Sequence, residues 1–134
     1  MKQILVIDDE ADICEIAKIS LQITKQWQVL TVASGQEGVS VATETQPDAI
    51  LLDVVMPGLD GLHTLKLLKE TPATRHIPVI MLTAAGSMVT QRQYAELGAQ
   101  AVVTKPFDPG LLGNQIANVL SWDIDDHRTD RQAS

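Results

Sequence analysis

Short apolar runs and amphipathic stretches alternate along the chain. Each apolar run is four or five residues long and is followed directly by a polar residue. Such runs are typical of strands buried on both faces, as in a parallel sheet. The runs lie at residues 3–7, 29–33, 49–52, 79–82 and 100–104. The stretches between them predict helices, over about residues 11–26, 35–45, 61–70, 87–97 and 109–122.

Apolar residues at helical spacing predict the buried face of each helix. In the first helix these are Ile13, Ile16, Ala17 and Ile23, with Ser20 completing the stripe. The residues predicted to face inward on the second and third helices are Val39, Ala42, Leu62, Leu65 and Leu68. Gly98 is the expected end of the fourth helix, and Asp108-Pro109 is the expected start of the last.

The order of elements is therefore a strand followed by a helix, five times over. This alternation predicts an α/β fold with a parallel sheet, right-handed crossovers and helices on both faces. Residues 1–122 are expected to form one domain. Residues 123–134 carry four Asp and two Arg with no apolar periodicity after Ile124, and are expected to be a polar tail or a truncated linker.

Composition narrows the class of protein. Hydrophobic residues make up 45% of the 134 residues and charged residues 20%, as in soluble globular domains. The net charge of −7 argues against a nucleic-acid or anionic-membrane surface. No apolar run approaches the ~20 residues that a membrane span needs, and the start lacks a signal-peptide cleavage site. With a single cysteine, Cys14, and so no internal disulfide, we expect a cytoplasmic protein.

Chemically capable side chains follow four of the five strands. Asp8 and Asp9 follow the first strand, Asp53 the third, Thr83 the fourth and Lys105 the fifth. Parallel strands bring their carboxyl ends to one edge, where open α/β sheets place ligands. Clustered carboxylates repel and need a compensating charge. Mg²⁺ is a natural partner, and acids, a metal, a lysine and a hydroxyl suit phosphoryl transfer, with aspartate as acceptor.

Each residue also has a simpler explanation when taken alone. Asp8 and Asp9 could cap a helix, Asp53 could cap a turn, Thr83 could bond to backbone, and Lys105 could be a solvated surface lysine. The functional interpretation depends on their occurring together, each at its own strand end.

Four motifs resemble the receiver domains of two-component response regulators, over about residues 2–122. They are Val6-Ile7-Asp8-Asp9-Glu10, the run from Leu52-Asp53 through Met56-Pro57-Gly58 to Asp60-Gly61, Leu82-Thr83-Ala84, and Thr104-Lys105-Pro106-Phe107. The resemblance implies the flavodoxin-like doubly wound fold, with five strands in the order 2-1-3-4-5 and five flanking helices.

The resemblance also implies a role for each matched residue. Asp53 would accept a phosphoryl group from a phosphohistidine. Mg²⁺, for which Mn²⁺ could substitute, would be bound by Asp9, Asp53 and the backbone carbonyl of Val55, and by Asp8 through water. Thr83 and Lys105 would each contact a phosphoryl oxygen after transfer.

Positions near the site have further implied roles. Pro106 matches a position that is usually cis in the family, at a cost of only ~0.5–1 kcal/mol. Val102 stands where the family often has a switching aromatic, so the switch cannot use that ring. Val55 and Ala85 occupy positions that tune attack of water on the phosphoryl group. Since neither can orient water, we predict slow loss of phosphate.

The implied function is a phosphorylation-controlled binding module, not a metabolic enzyme, which catalyses its own phosphorylation and dephosphorylation. Its partners would be a histidine kinase or histidine phosphotransfer protein and a downstream protein target, with a homodimer as a further option and no nucleic acid or membrane. The fourth helix, fifth strand and fifth helix would carry the signal, with Tyr94 a candidate contact.

Three other functions stay open at this stage. An aspartate-nucleophile phosphatase would need a second Asp two residues after Asp53, where Val55 stands. A flavodoxin-like electron carrier would need a phosphate-binding loop after the first strand, where Asp8-Asp9-Glu10 would repel phosphate. A degenerate receiver could serve as a scaffold, although the acidic residues are complete.

Overall fold

The computed structural model describes residues 2–54, 60–84 and 91–122. The strands are β1 (Gln3–Ile7), β2 (Gln28–Val32), β3 (Ala49–Asp53), β4 (Val79–Ala84) and β5 (Ala101–Lys105). The helices are α1 (Ala11–Lys25), α2 (Gly35–Thr45), α3 (Gly61–Glu70), α4 (Gln91–Glu96) and α5 (Pro109–Val119). The predicted alternation is confirmed. The first residues of the helix predicted at 87–97 lie outside the described residues, as does the predicted tail.

The five strands form one parallel sheet in the order β2-β1-β3-β4-β5, which confirms the predicted fold class. The register aligns the carboxyl ends of the inner strands. Ile7 lies opposite Leu52, and Asp53 lies opposite Leu82. On the outer side, Ala84 lies opposite Lys105. Asp8, just beyond β1, and Asp53 and Lys105, the last residues of β3 and β5, therefore lie at one edge of the sheet.

Alternating residues of β1 divide the core into two layers. Ile4 and Val6 pack on the side of α1 and α5, whereas Leu5 and Ile7 pack on the side of α2 and α3. All four side chains are fully buried. This alternation follows from the two-residue period of a strand whose two faces are both covered by helices.

The buried face of α1 differs from the predicted one. Ala17 and Ser20 are buried as expected, but Ile16 is 42% exposed and Ile23 is 74% exposed, while Leu21 is fully buried. The helix carries two adjacent apolar stripes, and α1 packs against α5 as well as the sheet. This double contact buries the stripe that contains Leu21 and leaves the isoleucine stripe at the surface. The prediction was therefore wrong for Ile16 and Ile23.

Tyr94 of α4 belongs to the core and not to the surface. Its side chain is 1% exposed and packs in the layer that contains Leu65 and Leu68, with Val102 of β5 at its margin. The expectation that Tyr94 contacts a partner is therefore wrong for the conformation described here, because a ring with so little exposed area has no surface to offer.

Two tryptophans close the core at the edge where the strands begin. Trp27 is 3% exposed, and its ring meets that of Trp122 edge to face, with centroids 5.3 Å apart and an interplanar angle of 89°. The ammonium of Lys2 lies 4.5 Å from the centroid of the Trp122 ring. This edge is opposite the one that carries Asp53.

The helix boundaries follow local side-chain chemistry. Ser34, Asp60 and Asp108 accept hydrogen bonds from backbone N–H groups at the starts of α2, α3 and α5. Gly98 follows α4 with φ of 104°, the left-handed conformation that glycine adopts without strain. Among the described helices, none is both long and apolar enough to cross a bilayer.

Candidate functional site

The candidate site forms where β1, β3 and β5 end. Backbone hydrogen bonds extend the sheet by one residue there, from Asp8 N–H to the carbonyl of Val32 (3.1 Å) and from Val54 N–H to the carbonyl of Leu82 (3.1 Å). Asp8 and Asp53 are held on this rigid framework. Their side chains are buried, with only 1% and 4% of each residue exposed.

The ammonium of Lys105 connects three carboxylates. Its Nζ lies 2.9 Å from Oδ2 of Asp8, 3.0 Å from Oε1 of Glu10 and 3.2 Å from Oδ1 of Asp53. Buried charges need such partners, because transfer out of water strongly disfavours an isolated ion. One lysine thus neutralises part of a site that carries three negative charges.

The two oxygens of Asp8 have different environments. Oδ1 accepts a hydrogen bond of 2.9 Å from the backbone N–H of Glu10. Oδ2 is buried, and its partner among the described residues is the ammonium of Lys105 at 2.9 Å. A carboxylate oxygen in this state has unused capacity to accept a donor or to coordinate a cation.

The site shifts the acid–base behaviour of two neighbours. Burial by itself would lower the pKa of Lys105, but its bonds to Asp8, Glu10 and Asp53 together raise that pKa above its ordinary value. Burial and the charge of Asp8 raise the pKa of the Cys14 thiol to about 11. The thiol donates to the carbonyl of Asp8 at 3.2 Å. Lys105 is therefore cationic and Cys14 a neutral thiol near pH 7.

The acidic cluster fits a hard divalent cation. One oxygen from each of Asp8, Glu10 and Asp53 lies within 4.8 Å of the others. Carboxylate oxygens are the preferred ligands of Mg²⁺, which takes one or two carboxylates and keeps several waters. These residues form a group that could hold a metal ion.

Glu10 is the member of this cluster that the sequence analysis did not single out. The resemblance implied Asp9 in that place, and Asp9 is exposed two residues before α1 begins. Glu10 could have been found from its position two residues after Asp8, within the same turn. The prediction that Asp9 binds metal directly stays a prediction.

The other predicted site residues lie nearby or outside the described residues. Thr83 is 5% exposed and pairs with Thr104, next to the pairing of Ala84 with Lys105. The peptide bond between Lys105 and Pro106 is cis, as expected. Val102 is half-buried on β5. Val55 and Ala85 lie outside the described residues.

Gly61, the first residue of α3, packs closely against the backbone at the end of β3. The N–H of Gly61 donates to the carbonyl of Val54 at 2.9 Å. A β-carbon on Gly61 would collide with the backbone carbonyl of Asp53 and the backbone of Val54. The first residue of α3 therefore lies directly against the strand end that carries Asp53.

Comparison with known proteins identifies the family. The sequence model described as the response regulator receiver domain matches residues 4–117. The chain belongs to the response regulator receiver domain family. Phosphorylation-dependent switching is the general function of this family.

Among curated relatives of this receiver domain are two larger regulators. The chain is 38% identical over 119 residues to the phosphate regulon transcriptional regulatory protein PhoB of Pseudomonas aeruginosa, covering 89% of this chain and 52% of PhoB. It is 36% identical over 135 residues to the response regulator PleD of Caulobacter vibrioides, covering 98% of this chain and 29% of PleD. The chain thus spans about half or less of these relatives.

Solved receiver structures share the fold. A response regulator receiver domain protein from Clostridium thermocellum superposes with a TM-score of 0.79 at 33% identity, over 90% of this chain and 95% of the other. The chemotaxis protein CheY4 of Vibrio cholerae superposes with a TM-score of 0.81 at 28% identity, over 89% of this chain and 98% of the other.

Proposed function

We propose that Asp53 accepts a phosphoryl group from a phosphohistidine and that the modified site switches a protein-binding surface. The observation that carries this proposal is the contact of 3.2 Å between the Asp53 carboxylate and the Lys105 ammonium in a pocket with excess negative charge. A carboxylate held this way at the end of a central strand is a positioned nucleophile. The function belongs to residues 1–122, with 123–134 as tail or linker.

The transfer would proceed by in-line displacement at phosphorus. An oxygen of Asp53 forms the new P–O bond while the P–N bond to the histidine ring breaks, and the ring nitrogen leaves with the bonding electrons. The cation of Lys105 would stabilise charge on a phosphoryl oxygen, and the hydroxyl of Thr83 would donate to another. Asp53, Thr83 and Lys105 are thus the reactive set.

We further propose that the site works with Mg²⁺, with Mn²⁺ as a substitute. Asp9, Asp53 and the carbonyl of Val55 would bind the ion directly and Asp8 through water. When bound, the ion supplies the positive charge that lets an acyl phosphate form among carboxylates. The closeness of carboxylate oxygens from Asp8, Glu10 and Asp53, all within 4.8 Å of one another, supports a cation at this place.

The phosphorylated site would then act on β5. A phosphate adds about −1.5 to −2 charge, which draws the Lys105 ammonium and the Thr83 hydroxyl toward it. Lys105 ends the same strand that carries Val102 at the margin of the layer containing Tyr94. A shift of β5 would therefore reach α4 through this packing without the aromatic ring that the family often uses.

The proposed partners follow from this arrangement. A histidine kinase or histidine phosphotransfer protein would supply the phosphoryl group, and a downstream protein would bind α4, β5 and α5. A homodimer is a further option. The net charge of −7 supports the absence of direct nucleic-acid and membrane contacts by this domain. A cytoplasmic location is part of this proposal.

The deciding experiment treats the wild-type chain with acetyl phosphate and Mg²⁺ and measures intact mass. We expect the wild type to gain one phosphoryl group, Asp53→Asn to gain none and Asp12→Asn, which removes an exposed carboxylate of α1, to behave as wild type. Two-dimensional amide NMR with BeF₃⁻ should shift resonances of β4, β5 and α4. No mass gain on the wild type would overturn the proposal.

A further inference from the structure

Glu10 and Asp8 hold Lys105 from two sides. The backbone N–H of Glu10 donates to Oδ1 of Asp8 at 2.9 Å, which fixes the start of α1 against the pocket. The side chain of Glu10 then turns back, so that its Oε1 lies 3.0 Å from Nζ of Lys105. The two carboxylates are tied together by backbone and share one ammonium.

Glu10 is far more exposed to solvent than the other two carboxylates that contact Lys105. The side chain of Asp8 is fully buried and that of Asp53 is 5% exposed, whereas that of Glu10 is 58% exposed. The ammonium of Lys105 therefore lies between a buried pair of carboxylates and one at the mouth. An exposed ion pair contributes little to stability, so stability is a weak reason for this contact.

Lys105 also lies where a cation would interact with the cluster. Its Nζ is within 3.2 Å of an oxygen of both Asp8 and Asp53. A divalent cation held by Asp53 directly and by Asp8 through water would repel the ammonium and compete for the same oxygens. An ammonium displaced from those two carboxylates would keep its third described contact, the one to Glu10 at 3.0 Å.

We propose that Glu10 is a positioning residue for Lys105: it keeps the ammonium at the mouth of the pocket when a divalent cation occupies the carboxylates of Asp8 and Asp53. Glu10 thereby lowers the competition between lysine and metal and keeps the lysine beside Asp53. This inference rests on the proposed function, since it concerns the lysine that would contact the phosphoryl group.

The first test measures metal affinity without any phosphodonor. Titration calorimetry with Mg²⁺ on the full chain should show weaker binding for Glu10→Gln by about fivefold, the upper end for an exposed ion pair. Glu10→Asp keeps the charge but loses one methylene of reach, so we expect it to resemble Glu10→Gln. Asp12→Asn, the matched loss of charge on the same helix, should stay within about twofold.

The second test follows the lysine itself. The side-chain Cε resonance of Lys105, assigned by its loss in Lys105→Arg, should keep a distinct shift in the wild type at saturating Mg²⁺. In Glu10→Gln it should move to the position of exposed lysines. The readout is the change caused by Mg²⁺, because loss of the 3.0 Å contact with Glu10 by itself would shift the resonance equally with and without the metal.

The results that would overturn the role of Glu10 differ from those that would overturn the proposed function. If Glu10→Asp binds Mg²⁺ like the wild type, or if Lys105 behaves identically in the wild type and Glu10→Gln, the inference is overturned. Neither result affects whether Asp53 gains a phosphoryl group. Conversely, a wild type that gains no mass would overturn the proposed function and leave these binding measurements interpretable.

Discussion

The ammonium of Lys105 lies 3.2 Å from Oδ1 of Asp53, although 52 positions separate the two residues in the chain. Asp8 and Glu10 contact the same ammonium, so the pocket holds three carboxylates against one fixed cation. The cation of Lys105 therefore offsets part of the negative charge of these carboxylates in the structure.

Removal of this cation should destabilise the domain. In Lys105→Gln, buried carboxylates are left uncompensated, and we expect a loss of about 3 kcal/mol in the free energy of unfolding at pH 7 without divalent ions. Urea denaturation measures it, with Lys66→Gln on the exposed face of α3 as control. Mg²⁺ should restore part of the loss. Equal stability of the two variants would contradict this account.

The wild type should show the matching pH dependence. Because the pKa of Lys105 is raised above its ordinary 10.5, the contribution of Lys105 to stability is fully present below that value. It is lost as pH rises through the higher pKa of the folded protein. Lys105→Gln should lack this component of the alkaline loss.

The two stripes of α1 should differ in their effect on stability. Leu21 is fully buried, so Leu21→Ala should cost about 2–5 kcal/mol. Ile23 is 74% exposed, and Ile23→Ala should cost no more than about 0.5 kcal/mol. Urea unfolding followed by tryptophan fluorescence compares them directly. The reverse ranking would mean that α1 is rotated relative to the packing described.

Cys14 should react slowly in the folded protein. Its pKa of about 11 keeps the reactive thiolate scarce at pH 8, so alkylation by iodoacetamide should be about 100-fold slower than for a free thiol. The rate should rise until about pH 11. The same chain unfolded in urea is the control and should react at the ordinary rate.

The shifted thiol also has a consequence for stability. The contribution of Cys14 is fully present below its ordinary pKa of 9.0 and is lost as pH rises through the pKa of the folded protein, because only the unfolded thiol ionises readily in that interval. Cys14→Ser should remove this component.

The phosphorylated chain should be long-lived. Neither Val55 nor Ala85 can orient a water for attack on the acyl phosphate. Decay of label on the purified chain measures the lifetime, and Val55→Asn, which introduces a polar side chain, should shorten it several-fold while Val55→Ile should not. Rapid decay of the wild type would show that another group positions the water.

The contact between Trp27 and Trp122 should stabilise the edge of the sheet opposite Asp53. Trp122→Ala removes the edge-to-face contact with Trp27 and the cation above Trp122, and should cost about 1–2 kcal/mol. The remaining emission, from Trp27, should shift to longer wavelength as water reaches it. Trp122→Phe, which keeps a ring, should lose less.

Much of the fold could be predicted because the strongest signals are local. The run at residues 49–52 is apolar throughout, which indicates a strand covered on both faces, and parallel strands bring their ends to one edge of the sheet. The meeting of Asp8, Asp53 and Lys105 follows from that geometry. Their spacing along the chain would not have indicated it.

Other features depend on three-dimensional choices. The apolar stripes of α1 are adjacent, and the contacts of this helix with α5 and the sheet determine that Leu21 is buried and Ile23 is exposed. Glu10 enters the cluster because the first turn of α1 is tied back to Asp8, and sequence spacing alone favours Asp9 equally. Tyr94 is buried by the layer it joins, which a short helix pattern does not reveal.

Position 61 tolerates no side chain, although eight positions separate it from Asp53 in the chain. Even a methyl group on Gly61 would collide with the backbone carbonyl of Asp53. A substitution at residue 61 would therefore displace the end of β3, and with it the carboxylate that the proposed function makes the phosphoryl acceptor.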